Sequence, residues 1–407
     1  MVQPLHVQSA VIHGAVRDLY STDVVCAGPV QSALPVDMAG YAIWPALINA
    51  HDHLELNHYP RSKFREAYGN AHQWGEEMNA RLDHPPYREG RAVPLADRLF
   101  IGGLKNLLCG ALTVAHHNPL HRPLRSSRFP VRVLGRYGWA HSLHFEPDVA
   151  ASYARTPADA PWFIHLAEGT DATAAAEYGR LLAKGAAGAN TVLVHGVGMT
   201  PPDVRDAAGR VRGLVWCPSS NCYLLGRTAD VRAWLAAGGC VALGSDSRLT
   251  ADGDLLDEMR AALATGQVDG AAILAMVTTE AARLLGLSDV GDLQPGQRAD
   301  WVATRAGEPL VGARRADLAL VVRGGAPVIG DPELMARFPS VETVPATLDG
   351  RPKAIHKSLA RRIMKCRPGE PGLTLAPGPR LRWGTLWRRG LGSGEEGDHK
   401  LTHKKTV

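Results

Sequence analysis

The sequence predicts an α/β fold, a (β/α)8 TIM-like barrel with shortened third and fourth units, plus a small β-domain built from the segments on either side of it. Three observations lead there. From about residue 42 to residue 290, short apolar, β-branched runs alternate with Ala/Leu-rich stretches of helical period, the rhythm of βα units and a parallel sheet. Four of those runs end in a side chain that can bind a metal or carry a proton, and barrel enzymes keep their chemistry at the C-terminal ends of the strands. The flanks, 1–40 and roughly 289–332, hold short strand-like runs broken by Gly and Pro that can pair with each other.

Taken in order, residues 1–41 are expected to form the first part of the β-domain, 42–288 the barrel, 289–335 the second part of the β-domain, and 336–407 a basic, Pro/Gly-rich extension with little order. Within the barrel, the expected strands are "AIWPALINA", "GALTVAHH", "VRVLGRYGW", "WFIHLAE", "NTVLVHG", "GLVWCP" and "CVALGSDS". Helices are expected between them at "TAAAEYGRLLAKGA", "PPDVRDAAGRV" and "TADVRAWLAAGG". That names seven strands, and the eighth is sought between residues 141 and 161, a stretch too short for an ordinary βα unit. Residues 54–95 form a long polar insertion after the first strand, placed to cover an active site, with Arg61, Trp74 and Glu76 as candidate specificity residues.

Composition narrows the function classes. With 407 residues and 45% hydrophobic content the chain can bury a full core. "MVQPLHVQSAVIHG" lacks the basic and apolar regions of a signal peptide, and no run of about 18 apolar residues occurs, so a soluble cytoplasmic protein is expected. The six cysteines lie far apart with no C-x-x-C pair, as reduced thiols do. The net charge of +5 is unevenly placed: residues 351–407 hold 14 Lys/Arg against 4 Asp/Glu, which leaves the rest of the chain acidic. The tail, with Trp383 and Trp387, has no nucleic-acid fold and no amphipathic period, so it reads as a solvated extension. A small-molecule substrate is expected, with no nucleic-acid or membrane partner, in a chain that can form homo-oligomers.

The chemistry begins in "LINAHDHLEL". His51 and His53, two apart on a strand, emerge on one face, and two adjacent imidazoles favour a shared cation. An H-x-H pair alone is weak evidence, because such pairs also occur in solvated loops. His165, His195 and Asp246 end later strands in the same manner, and together they point to a mononuclear metal site. His116, His117, His141 and His144 end or follow other strands and can face the mouth or sit exposed. In "WCPSSNCYLLG", Ser220 and Asn221 orient a loop or touch substrate.

"LINAHDHLEL", "HLAE", "VHG", "CPSSN", "LGSDS" and "GDLQPGQRADWV" occur in one order from about residue 42 to residue 330. This set resembles the amidohydrolase superfamily, nearest its cytosine deaminase and triazine hydrolase (chlorohydrolase-type) branch. The resemblance implies that His51, His53, His165 and Asp246 hold one divalent metal, Zn2+ or Fe2+. It further implies that Glu168 shuttles protons, that Asp246 acts as base, and that His195 contacts substrate or the attacking water. His117, His141, Trp74 and Asn221 are the expected substrate contacts. Binuclear relatives bridge their metals with a carboxylated lysine from a middle strand, and residues 106–183 contain no lysine. The expected function is deamination of an aminated heterocycle, with an amidase acting on a cyclic or acyclic amide, or a metal-free scaffold, as the alternatives.

Overall fold

The computed structural model describes residues 2–376. Eight short strands make the barrel: Leu47–Asp52, Ala111–His116, Arg132–Val133, Gly138–Ser142, Trp162–Leu166, Thr191–His195, Gly213–Trp216 and Val241–Leu243. The first three pair in order as one parallel sheet and the last five as another. An Asp52–Asp246 bridge joins the first strand to the segment just past the eighth. The helices of the later units, Ala172–Ala183, Pro201–Arg210, Val231–Ala236 and Leu255–Ala264, each start from an Asp or Thr whose side chain accepts a backbone N–H of the first turn.

The eighth strand is not in residues 141–161, where the chain instead forms the helix Val149–Arg155. It comes from "VRVLGRYGW", expected as one strand. That run breaks at residues 134–137 into two, Arg132–Val133 beside the second strand and Gly138–Ser142 beside the fifth. The third unit therefore has no helix. Gly138 is required there, because a Cβ on it would lie 1.8 Å from Thr156 Oγ1.

The first apolar run also divides. Tyr41–Pro45 pairs antiparallel with Trp301–Arg305 in the side sheet, while Leu47–Asp52 enters the barrel. The switch takes one residue: the amide of Ala46 donates to Asp300 O and that of Leu47 to Gly110 O. Pro45 has no N–H to hold the chain in either ladder.

The side sheet has eleven strands and joins both ends of the chain, with Leu5–Ile12 and Ala15–Ser21 as a hairpin on one side and Leu320–Arg323 and Ala326–Gly330 on the other. It does not stop near residue 335. Thr343–Leu348, Arg351–His356 and Leu373–Leu375 extend it, which corrects the expected start of the unordered extension. The missed signal is Asp349-Gly350, both with positive φ, between two paired strands, the turn chemistry of a tight hairpin. The remainder of the expected extension, residues 377–407 with Trp383 and Trp387, lies outside the described residues. Among the described residues, no helix is long and apolar enough to cross a membrane. The six cysteines are free thiols.

The added strands lead to Glu370, whose side chain is fully buried and accepts hydrogen bonds from Arg248 (2.9 and 2.6 Å) and Arg315 (2.6 Å). Arg248 is two residues past Asp246, so the side sheet anchors the loop after the eighth barrel strand. Glu370→Ala leaves the largely buried Arg248 guanidinium without its carboxylate and Arg315 with Asp349 alone, and is expected to destabilise the protein by about 3–5 kcal/mol. Urea unfolding measures this, and an unchanged midpoint would contradict the anchoring.

Candidate metal centre and active site

His51 and His53 leave the first strand on its inner side, and Asp52 between them points the opposite way. Asp52 Oδ2 accepts from Lys105 Nζ (2.9 Å) and Asn106 Nδ2 (2.7 Å), and its Oδ1 accepts from Asn57 Nδ2 (2.8 Å). Lys105 also donates to Ser245 Oγ at 3.0 Å, which ties the helix Leu95–Leu108 to the loop carrying Asp246. Lys105 and Asp52 are both fully buried. Gly244 lets the eighth strand close against the first, since a Cβ there would lie 2.6 Å from His51 Cβ. His195 (φ 75°) and Asp246 (φ 48°) take left-handed backbone conformations at their strand ends, strain of a kind concentrated at functional sites.

Four donor atoms converge in the mouth of the barrel. His53 Nε2 is 3.2 Å from His165 Nε2, and His165 Nε2 is 3.3 Å from His51 Nε2. Asp246 Oδ1 lies 3.8 Å from His51 Nε2 and 3.7 Å from His53 Nε2. Tetrahedral ligands about 2.1 Å from a cation sit roughly 3.4 Å apart, so the spacing fits a divalent metal. For two of the three imidazoles the protonation pattern fits too. His165 Nδ1 donates to His141 O (2.7 Å), which leaves its Nε2 with a lone pair. His117 Nε2 donates to Ala140 O (3.0 Å), so its Nδ1 accepts from His51 Nδ1 at 3.3 Å and the His51 Nε2 is likewise a lone-pair nitrogen. Burial holds all three converging imidazoles well below their ordinary pKa, so they cannot relieve this crowding by protonation. Burial also pushes the Asp246 carboxyl up to about 6, although Thr250 donates to its Oδ2 at 2.8 Å, and a cation would offset that cost.

Glu168 and His195 stand beside these donors. His195 Nε2 is 3.5 Å from Glu168 Oε2, and Asn221 Nδ2 donates to His195 Nδ1 at 2.8 Å, which leaves the Nε2–H directed toward the carboxyl. Burial, with Asp246 and Glu177 adding repulsion, raises the Glu168 carboxyl well above the usual range. Burial lowers His195 to about 3, so it is a neutral hydrogen-bond donor.

A cavity of about 50 Å3 opens onto this group, and His53, His165, Glu168, His195 and Asp246 form one side of it. Two expected substrate contacts, Trp74 and His141, line it. Two others do not, and their roles are corrected here. His117 is buried behind the ligand rings, stacked on His165 with centroids 4.2 Å apart, and its free nitrogen is occupied by His51. It belongs to a compact buried cluster with His51, His53 and His165, but it supports His51 rather than reaching the cavity. Asn221 is fully buried beneath His195 and orients it. Arg61 turns away to Thr250 O and Asp252, and Glu76 pairs with His144 in solvent-facing positions. Sequence reasoning missed Lys105, His72, Phe145 and Glu177. The last lies on the helix after "HLAE", where its spacing gives no strand-end signal.

The chain is similar to several known proteins. Residues 148–329 match the model of the amidohydrolase family, somewhat less than half of the chain. A 5-methylthioadenosine/S-adenosylhomocysteine deaminase of Pelotomaculum thermopropionicum is 34% identical over 120 residues, 27% of this chain and 28% of that one. An 8-oxoguanine deaminase of Pseudomonas aeruginosa is 32% identical over 121 residues, 28% of this chain and 27% of that one. The chain thus matches well under half the length of these relatives. The same fold is seen in atrazine chlorohydrolase from Arthrobacter aurescens complexed with zinc, with a TM-score of 0.66 and 18% identity over 83% of this chain and 99% of that one. It recurs in an adenosine deaminase from Xanthomonas campestris with bound zinc, at TM-score 0.63 and 18% identity over 83% and 97% of the two chains.

Replacing Lys105 by Met strands a buried carboxylate directly between two converging histidines, and an expected loss of about 3–5 kcal/mol follows. Denaturant unfolding of the variant tests it, and a loss under about 1 kcal/mol, the range of a surface pair, would refute a structural role for the ion pair.

Proposed function

We propose that this chain is a mononuclear metal-dependent hydrolase that removes an amino group from an aminated heterocycle. The observation that carries the reading is the meeting of His51, His53 and His165 Nε2 with Asp246 Oδ1, beside a paired Glu168 and His195, in one buried cavity. These four donors would hold the metal, with zinc favoured over iron because related folds bind zinc. When bound, such a cation supplies Lewis acidity and a water that ionises near neutral pH. A single metal is favoured because residues 106–183 lack lysine and the nearby Lys105 is committed to Asp52 and Ser245.

The chain's own groups divide the proton traffic. Asp246 accepts the proton that the attacking water gives up and passes it to the departing amino group, while Thr250 donates to its Oδ2. Glu168, kept protonated by burial, gives its proton to the ring nitrogen next to the attacked carbon and takes one back from the added hydroxyl as ammonia leaves. His195, locked by Asn221 with its Nε2–H outward, donates to the oxygen that is added. The names of the two curated relatives, both deaminases of purine compounds, support an aminated ring as substrate.

Metal analysis of chelator-free protein is expected to give close to one zinc or iron per chain, and two per chain would overturn the mononuclear reading. Incubation with aminated purines, pyrimidines, triazines and simple amides is expected to release ammonia from a ring. New carboxylates in place of ring ammonia would make the enzyme an amidase. Asp246→Asn is expected to lower kcat by about 10^2–10^4-fold with far-UV circular dichroism unchanged.

A further inference from the structure

The cavity has a second polar pole that the proposed chemistry leaves unused. Glu177, on the helix Ala172–Ala183, lines it and is only 2% exposed. One carboxylate oxygen, Oε2, accepts from the Ala167 amide at 2.6 Å, and this fixes the group. The other, Oε1, is buried without a hydrogen bond. His72, from the first turn of the helix Ala71–Asn79 in the insertion, approaches it to 3.2 Å, but without hydrogen-bond alignment. A buried carboxylate oxygen left unpaired is costly, so a ligand group that donates to it gains more than the same group would in water.

Charge adds a second constraint. Three acidic side chains line the cavity, Glu168, kept protonated by burial, with Asp246 and Glu177, and its described lining residues include no Lys or Arg. The divalent cation is matched by Asp246 at one end. At the Glu177 end the only lining group that can carry positive charge is His72, and it already lies against the Glu177 carboxylate.

We propose that Glu177 recognises an uncharged hydrogen-bond-donating substituent, a hydroxyl or amino group, on the ring being processed, and that the same end of the cavity rejects anionic substituents. The proposal rests on the heterocycle reading above and names the substrate class within it: neutral, donor-bearing rings rather than carboxylated or phosphorylated ones. Glu177 is a specificity residue, since it takes no part in proton transfer.

The test uses the metal-loaded enzyme and three 6-methylpurines, which carry no amine to release and so report binding apart from turnover. They bear 2-hydroxyethyl, ethyl or carboxymethyl at nitrogen 9. Wild type is expected to bind the hydroxyethyl probe at least about tenfold more tightly than the ethyl probe, the range of a hydrogen bond to a charged group, and the carboxymethyl probe most weakly. In Glu177→Gln the carbonyl can keep the Ala167 bond and the amide N–H2 then faces the cavity. The hydroxyethyl preference should fall and the carboxymethyl probe should gain affinity, an inversion that a merely structural role would not produce. Equal probe ratios in the two proteins, or a wild type without the hydroxyethyl preference, overturns the proposal. Absence of ammonia from every aminated ring while the probe preference persists would instead count against the deaminase reading alone.

Discussion

His165 Nε2 lies 3.2–3.3 Å from the Nε2 atoms of His53 and His51, Asp246 Oδ1 lies 3.7–3.8 Å from the same two atoms, and a cation among them would relieve this buried crowding. Much of the barrel architecture serves to keep that crowding in place. The four donors come from the C-terminal ends of three parts of the barrel, two from the first strand and one each from the fifth strand and the loop after the eighth, so they meet only when the barrel closes. Closure between the first and eighth strands depends on Gly244 at His51 and on the bridge from Asp52 to Asp246.

Behind this centre the support is polar rather than oily. Asp52, Lys105, Asn106 and Ser245 form a buried network in which every member shares a hydrogen bond with another, and it clamps the two strands that carry three of the four donors. Buried networks of this kind are favourable only when satisfied, which makes them effective at fixing one geometry. A second clamp comes from the side sheet through Glu370 to Arg248. The side sheet therefore does more than unite the two chain ends, because it also pins the loop on which Asp246 sits.

The sequence made the barrel's rhythm and its strand-end histidines easy to read, because both follow from short-range rules: apolar runs, alternation and residue type. His51, His53, His165, His195 and Asp246 were recognisable for that reason, and Glu168 through the family resemblance. What escaped depended on partners far away. Asn221 and His117 are polar residues near the site in sequence pattern, yet only the fold reveals that each bonds a site histidine from behind. Lys105 reads as an ordinary helix lysine until the helix is laid against Asp52. The run 42–50 looked like one strand because no local rule says that successive amides will serve two sheets. The Asp349-Gly350 hairpin, by contrast, carried a local signal that the Pro- and Arg-rich composition around it obscured.

The most direct measurement is X-ray absorption at the metal edge of the loaded protein. Three imidazole nitrogens and one carboxylate oxygen of the protein, at about 2.0–2.2 Å, are the result expected if the four convergent donors are the ligands. A first shell with a sulfur ligand, or with fewer than three imidazoles, would contradict the account at its root.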